Sequence, residues 1–426
     1  MDHSGKVDQD DIVRARNVLL SSGRLYPRDK VDAYRVLAQV SPAAYLPLLA
    51  RALQHLSYQG GRVHPAALAL CEEAVAAARA IDPAEPARGD VLYEALDTCQ
   101  RELYRAGRRA EGLAMRAEML AIGRAQAERT GEPSAAGLSR WAAGLSEEGR
   151  YAEAADAMTE LVAVLLPDGF RSGALAWSLL EWTAVLHEAG RSGEALDAYE
   201  TLLGMQAVEA AGNDRDRSTA RLHTLIGYAR MLDAHGRDER AGLVREEAFA
   251  LLTEVAALGE RYSAGGYEVA LWAVLLSMPG AGGDRPAPGE PRPPSGMDPL
   301  YWSPDTKERH FGSRHALREE VDALAARATD DPDRHLAELV RRHRVLTVRS
   351  TVYWQSRTHL FAEQLRPLFD EGVELARRLS LHDPAAGTRT LAGSLIDRSA
   401  FRIAVGELGS ALDDFREALG HPRAAH

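Results

Sequence analysis

Helix-like stretches of this chain end repeatedly in a Gly-Arg pair, at a spacing that is nearly regular. Within the first 240 residues, six such pairs are separated by 38, 46, 42, 41 and 46 residues. Their glycines are Gly23, Gly61, Gly107, Gly149, Gly190 and Gly236. A unit of about 42 residues that is helical on both sides of a glycine turn is typical of an α-solenoid. Such a protein acts by presenting a long surface to another molecule.

Apolar residues recur at helical spacing on both sides of these turns. Leu138 and Leu145 share one helix face before Gly149, and Ala154 and Met158 share one after it. Glycine can end a helix because it adopts positive φ without strain, and alanine lets two helices approach closely. No stretch alternates with period two. The sequence therefore predicts an all-α fold, an α-solenoid of stacked antiparallel helical hairpins.

This pattern resembles the tetratricopeptide repeat (TPR), in which a small residue precedes the turn glycine and a small–aromatic–small series follows it. Late in the chain, Gly406 is followed by Ala411, Phe415 and Ala418 at the same offsets. The stretch 41–62 is similar to the long-helix variant of large bacterial repeat proteins. The resemblance implies a right-handed superhelix and a bacterial protein.

The resemblance covers most of residues 8–262 and returns at about 330–420. It departs from the standard unit in length, about 42 residues against 34. Arg116 and Arg245 stand where the second helix of a unit usually has an aromatic residue, and Gly112 replaces the expected alanine.

A segment rich in proline and glycine interrupts the array. Residues 279–296 hold six prolines and five glycines, which predicts a disordered loop. It separates a repeat array at 1–278 from helical repeats at 297–426, or it is an insertion within one repeat, which we favour. The helices predicted beyond it lie at 313–328, 332–350, 357–380, 388–404 and 408–419.

Composition limits the class of partner. The net charge of −11 disfavours nucleic acid, because the chain repels a phosphate backbone. Cys71 and Cys99 are too few for a disulfide framework, so we expect both to be reduced core residues. No leader peptide is visible, and the longest apolar run, 269–278, is too short to span a membrane. We expect a cytoplasmic protein without a membrane segment.

The resemblance implies that first helices line a groove, through positions interleaved with the packing positions. Aromatic, charged and histidine side chains on neighbouring helices suit a peptide or a helix laid in that groove. The groove positions are Glu94, Asp97, Arg101, Tyr104, Ser139, Ser146, Trp177, Leu180, His187, His223, Ile226, Arg230 and Asp233. For Trp177 a place in the core is an equal alternative.

A second candidate is a basic patch within residues 331–366, where aromatic residues interrupt the arginines. The patch comprises Arg341, Arg342, Arg344, Arg349 and Trp354. It either binds an anionic ligand, in which case we expect an acidic peptide rather than a nucleic-acid duplex, or it is a solvated helix face whose arginines pair with acidic neighbours. We favour the second interpretation.

Other clusters point to structure more than to chemistry. Tyr301, Trp302 and Phe311 either form a docking motif or, as we favour, fold back onto the core. Asp331 belongs to a carboxylate cluster that suits Mg²⁺ in principle, but Pro332 after it favours a helix cap. No phosphate-binding loop or nucleophile motif is present.

These observations favour a non-enzymatic scaffold or adaptor without metal or cofactor. It would bind a peptide or helix of another protein, encoded nearby, in the groove of the superhelix. The alternative is a regulatory sensor that closes around a small ligand or signal peptide. An all-helical enzyme is a remote alternative.

Overall fold

The computed structural model describes residues 7–20, 26–59, 65–168, 173–210, 215–259, 266–278, 292–357 and 360–420. Within these ranges the chain is helical and contains no strand, so the predicted all-α solenoid is confirmed. In chain order the helices are α1 (Gln9–Leu20), α2 (Pro27–Val40), α3 (Pro42–Gln59), α4 (Pro65–Arg79), α5 (Arg88–Arg105), α6 (Arg109–Thr130), α7 (Leu138–Glu147), α8 (Tyr151–Leu165), α9 (Gly173–Glu188), α10 (Ser192–Ala210), α11 (Arg215–Ala234), α12 (Asp238–Ala257), α13 (Gly266–Leu276), α14 (Pro304–Gly312), α15 (Arg314–Asp330), α16 (Pro332–Trp354), α17 (Phe361–His382), α18 (Pro384–Ala404) and α19 (Leu408–Leu419).

The chain forms two compact units. Unit 1 comprises residues 1–144 with 303–305, and unit 2 comprises residues 145–302 with 306–426. The division falls within α7, whereas the sequence analysis placed a separation at 279–296. Helices on both sides of that segment belong to unit 2, which favours an insertion over a linker.

Part of the proline- and glycine-rich segment is packed. Residues 279–291 lie outside the described residues. Pro294 and Gly296, in contrast, are buried in unit 2, so the prediction of disorder was wrong for this end of the segment. The short helix α14 was also missed, because its polar sequence shows little apolar periodicity.

The Gly-Arg pairs end the first helix of each hairpin in the same way. Gly107, Gly149, Gly190 and Gly236 have φ of 74°, 74°, 76° and 67°. In each case the N–H of the following arginine donates to the carbonyl five residues earlier at 2.9 Å, which satisfies the helix end in a Schellman motif. Gly23 and Gly61 lie outside the described residues.

The arginine of the Gly-Arg pair also makes structural contacts. Arg108 pairs with Glu111 at 2.5 Å and with Glu72 of the preceding second helix at 2.7 Å. Arg191 repeats this arrangement with Glu194 at 2.6 Å and Asp156 at 2.9 Å. Each exposed pair contributes at most about 1 kcal/mol, but together they align consecutive hairpins.

Each unit has its own core. In unit 1, Cys71 and Cys99 are buried among alanine and leucine side chains of α2–α6, as predicted. In unit 2, α13 packs against α16 and α18, α11 packs against α18, and α12 packs against α19. Trp272 of α13 lies at the centre, 5.8 Å from Phe369 and 5.9 Å from Phe401 between ring centroids. The C-terminal hairpins thus fold back on the earlier helices of unit 2.

Three residues of the irregular repeat around Gly107 fit together. The ring of Tyr104 of α5 is fully buried against α6. The side chain of Arg116 is buried over this ring, with its guanidinium carbon 4.8 Å from the centroid, and donates to Gln100 at 3.1 Å. Gly112 admits the ring, since a Cβ there would lie 2.9 Å from it.

We expect Gly112→Ala to destabilise the protein by about 1–3 kcal/mol, because overpacking outweighs the better helix propensity of alanine. Urea denaturation followed by circular dichroism measures the change. Gly204→Ala is the control, because this helical glycine is exposed and a Cβ would meet no atom within 4 Å. The control should stabilise by about 0.5–1 kcal/mol. Equal effects of the two substitutions would contradict the packing account.

Candidate partner-binding surfaces

The first helices of unit 1 carry a continuous polar surface. We name it the α3–α5–α7 face. Arginine and carboxylate side chains from all three helices contribute to it, together with a histidine and a tyrosine. Its members are Arg51, His55, Tyr58, Glu94, Asp97, Arg101 and Arg140.

Asp97 is the centre of this face. Its carboxylate lies 3.0 Å from Arg101 on the same helix and 2.9 Å from Arg140 on α7. Glu94 lies one turn earlier and 3.9 Å from Arg51 of α3. Ion pairs therefore tie α3, α5 and α7 together, while the Glu94 and Arg51 side chains stay more than half exposed.

Tyr58 is the exposed aromatic residue of the face, with 60% of its surface accessible. Its hydroxyl accepts a hydrogen bond from Arg101 at 2.5 Å and lies 3.1 Å from the Thr98 hydroxyl. The guanidinium carbon of Arg101 is 5.9 Å from the ring centroid. These contacts fix the ring before any ligand arrives, which lowers the entropic cost of binding.

The predicted groove positions of unit 1 divide into two groups. Glu94, Asp97 and Arg101 come together on the α3–α5–α7 face, and Ser139 is half-buried on α7. Tyr104 was assigned wrongly, because its ring is fully buried against Gly112. Ser146, which belongs to unit 2, is buried as well.

Sequence reasoning missed the members that α3 contributes, although a signal was present. Arg51 and His55 precede Gly61 by ten and six residues, the distances at which Asp97 and Arg101 precede Gly107. Tyr58 likewise precedes Gly61 by three residues, as Tyr104 precedes Gly107. Arg140 has no such equivalent, and only its contact with Asp97 reveals it.

In unit 2 the corresponding face of the first helices is covered. Leu180 of α9 and His223 and Ile226 of α11 are buried, so their assignment to an open groove was wrong. Burial lowers the pKa of His223 to about 3, which keeps the imidazole neutral beside Trp272. These three side chains, which we predicted to face a binding partner, instead belong to the core of unit 2.

Residues 292–302 form a series of turns that lies against α9, and we name this segment the strap. A Cβ on Gly296 would lie 2.5 Å from Ala184, so the strap backbone lies directly against the helix. The N–H of Asp298 donates to the Glu181 carboxyl at 3.0 Å. At the end of the strap, the indole of Trp302 is buried and stacks on Phe311 at 5.8 Å, which confirms that these aromatics fold back.

The remaining predicted positions of unit 2 make contacts within the unit. Arg230 pairs with the buried Asp397 of α18. Trp177 is half-buried and packs edge-on against Tyr267 at 5.8 Å. The last two lie near the hairpin turns. His187 packs edge-on against His235, and Asp233 pairs with Arg245.

The arginines of the basic patch are mostly engaged with acids, in agreement with the interpretation that we favoured. Arg341 pairs with Glu338 at 2.6 Å, and Arg342 pairs with Glu320 at 2.6 Å. Arg344 shares Asp397 with Arg230, and Arg349 donates to the Ser313 hydroxyl at 2.7 Å. Trp354 is half-buried beside Arg357, at 5.1 Å from the guanidinium carbon to the ring centroid.

The described residues show little sign of small-molecule chemistry. The cavity beside Asp397, His343 and Arg344 has a volume of about 20 Å³, enough for about one water. Asp331 caps α16 by accepting from the N–H of Arg334 at 3.3 Å, as expected. No group of three metal-ligating side chains occurs in the described ranges. No helix described is long and apolar enough to cross a membrane.

The hairpins, their glycine turns and their stacking define an α-solenoid of antiparallel helical hairpins. The chain is similar to two structures of nearly identical TPR-like repeats from a Podosopora anserina protein described as a putative kinesin light chain. For one, the identity is 20% and the TM-score 0.38, covering 50% of this chain and 99% of that one. For a point variant of that protein the identity is 19% and the TM-score 0.37, and the match covers 50% of this chain and 98% of that one. No family model matches the chain, and no curated protein matches it significantly in sequence.

The Glu181–Asp298 contact predicts a pH dependence. Burial raises the pKa of Glu181 from 4.5 to about 8. The folded protein then holds a proton that the unfolded chain releases, so this residue reduces stability as pH rises from about 4.5 to about 8. Glutamine at this position still accepts the N–H but does not titrate. We therefore expect the stability of Glu181→Gln not to fall in this way as pH rises. Urea midpoints at pH 5.5 and 8 test it, and parallel pH profiles of the two proteins would contradict it.

Proposed function

We propose that this protein is a non-enzymatic scaffold or adaptor that binds a peptide or helix of another protein on the α3–α5–α7 face. The observation that supports the proposal is the contrast between the two units. In unit 2 the chain covers its own first helices. In unit 1 the first helices α3 and α5 instead present Arg51, His55 and Tyr58 beside Glu94.

The composition of the face indicates what it recognises. Three arginines outnumber two carboxylates, and Asp97 is already shared by Arg101 and Arg140. Arg51 is held only loosely, at 3.9 Å from Glu94, and can turn to a ligand carboxylate. Tyr58 offers a fixed ring for an apolar side chain. Tyrosine and arginine are the residues that dominate binding energy once desolvated. We therefore infer a peptide that carries an acidic residue next to an apolar one.

A regulatory sensor that encloses a small ligand is the weaker candidate. The cavity beside Asp397 is too small for any molecule larger than water. A second hollow of about 350 Å³, lined by Leu120, Arg124 and Trp141, is open to solvent and does not enclose a ligand. The acidic net charge of −11 speaks against nucleic acid as the partner. We place the partner among bacterial cytoplasmic proteins encoded near this one.

The partner can be identified by photo-crosslinking. A benzoylphenylalanine at position 55 lies on the proposed face, and one at position 118 lies on α6, among the second helices. In host cells the first should capture a protein that the second does not. Mass spectrometry then gives the crosslinked peptide of the partner. Identical products from both positions would argue against a specific face.

Purified partner allows the residues to be tested. We expect Tyr58→Ala and Arg101→Ala each to weaken its binding at least tenfold in calorimetric titration, because both lose desolvated contacts. Arg79→Ala is the matched control, since this arginine forms an exposed ion pair with Glu118 on the second helices. Its affinity should stay within about twofold. Unchanged affinity in Tyr58→Ala and Arg101→Ala would exclude the α3–α5–α7 face.

A further inference from the structure

Two arginines converge on one tyrosine at the end of the α15–α16 hairpin. The guanidinium carbon of Arg314, at the start of α15, lies 3.3 Å from the ring centroid of Tyr353. That of Arg357, just after α16, lies 4.4 Å from the same centroid. Arg357 also lies 5.1 Å from the ring of Trp354. We name these four residues the arginine–tyrosine cluster.

The two arginines differ from their neighbours in what they contact. On the same two helices, Arg318 lies 3.4 Å from Glu371, and Arg341 lies 2.6 Å from Glu338. Arg314 instead donates from Nε to the backbone carbonyl of Phe311 at 3.1 Å. Within the described residues neither cluster arginine pairs with a carboxylate. Two like charges therefore share one aromatic ring without a neutralising acid.

Two neighbouring groups have shifted pKa values. Burial chiefly, and then the charges of Arg349 and Arg314, lower the pKa of His310 to about 3, so this neighbour stays neutral. A hydrogen bond from Arg357 lowers the pKa of the Tyr353 hydroxyl. The lowered pKa of Tyr353 is the shift expected beside a guanidinium group. These shifts agree with the geometry but are not needed for it.

Aromatic packing holds the cluster in place. Phe311 contacts Tyr353 edge-on at 5.5 Å, and Tyr353 contacts Trp354 at 5.1 Å. Tyr353 and Trp354 remain half-exposed, and Arg357 is exposed, so the site opens to solvent. A ligand would meet guanidinium groups whose positions are already fixed, which reduces the cost of binding.

We propose that the arginine–tyrosine cluster binds an oxyanion carried by an acidic peptide. A guanidinium offers paired N–H donors that match a carboxylate, and the peptide supplies the acid that the cluster lacks. The Tyr353 hydroxyl donates a further hydrogen bond, and Trp354 packs against the peptide stem. This site lies in unit 2 and is independent of the α3–α5–α7 face, so either proposal can fail without the other.

A fluorescein-labelled peptide of alternating Glu and Gly tests the proposal by anisotropy with the intact protein. The matched probe has Gln in place of Glu. We expect the Glu peptide to bind at least tenfold more tightly, with affinity that falls as salt is added. Inorganic phosphate should compete, since it shares the oxyanion chemistry. Binding of phosphate without the Glu peptide would overturn the assignment to a peptide, and equal binding of both peptides would overturn the site.

The residues are tested with Arg314→Gln and Arg357→Gln, singly and combined. We expect the double variant to weaken the Glu peptide at least tenfold. Arg314 is half-buried, so the double variant could fail to fold, which circular dichroism would show. In that case the exposed Arg357→Gln alone decides the outcome, and we expect it to weaken binding of the Glu peptide at least threefold. Arg377→Gln, whose arginine already pairs with Glu417 at 2.9 Å, is the control. An unchanged affinity in Arg357→Gln contradicts the proposal.

Discussion

The repeated part of the structure depends on the left-handed glycine that ends the first helix of four hairpins. Its positive φ lets the chain reverse within two residues, and the hydrogen bond from the next N–H fixes the angle at which the second helix leaves. Because the same turn recurs at Gly107, Gly149, Gly190 and Gly236, successive first helices within a unit come to lie on one side. At two of these turns, Arg108 and Arg191 also pair with an acid of the preceding second helix. A repeated backbone constraint thus produces a repeated surface.

What happens to that surface differs between the two units. In unit 1, charged side chains around Asp97 and the exposed Tyr58 leave it polar and accessible. In unit 2 the chain covers this surface with the strap and with α18, which contact Glu181 and Arg230. Burying Leu180, Ala184 and Ile226 this way removes from water an apolar surface that would otherwise favour association. The same helical arrangement therefore serves stability in unit 2 and, on our proposal, recognition in unit 1.

Local features of the fold could be read from the sequence, because each depends on a few neighbouring residues. The turn at Gly149, the cap at Asp331 and the bounds of α19 are of this kind. Whether the groove is open or covered could not be predicted, because that depends on contacts between residues distant in the chain. Arg230 meets Asp397 across 167 residues, and Glu181 meets Asp298 across 117. Likewise, the burial of Tyr104 depends on the space that Gly112 leaves, which helical periodicity alone does not reveal.

Hydroxyl-radical footprinting of the intact protein, read by mass spectrometry, tests the contrast between the two units most directly. Tyr58 is 60% exposed, whereas Met297 and Trp302 of the strap are only 1% and 5% exposed. We therefore predict rapid oxidation of Tyr58 and slow oxidation of Met297 and Trp302, each compared with its own rate in urea. A strap that oxidises at its unfolded rate while Tyr58 is protected would contradict the account.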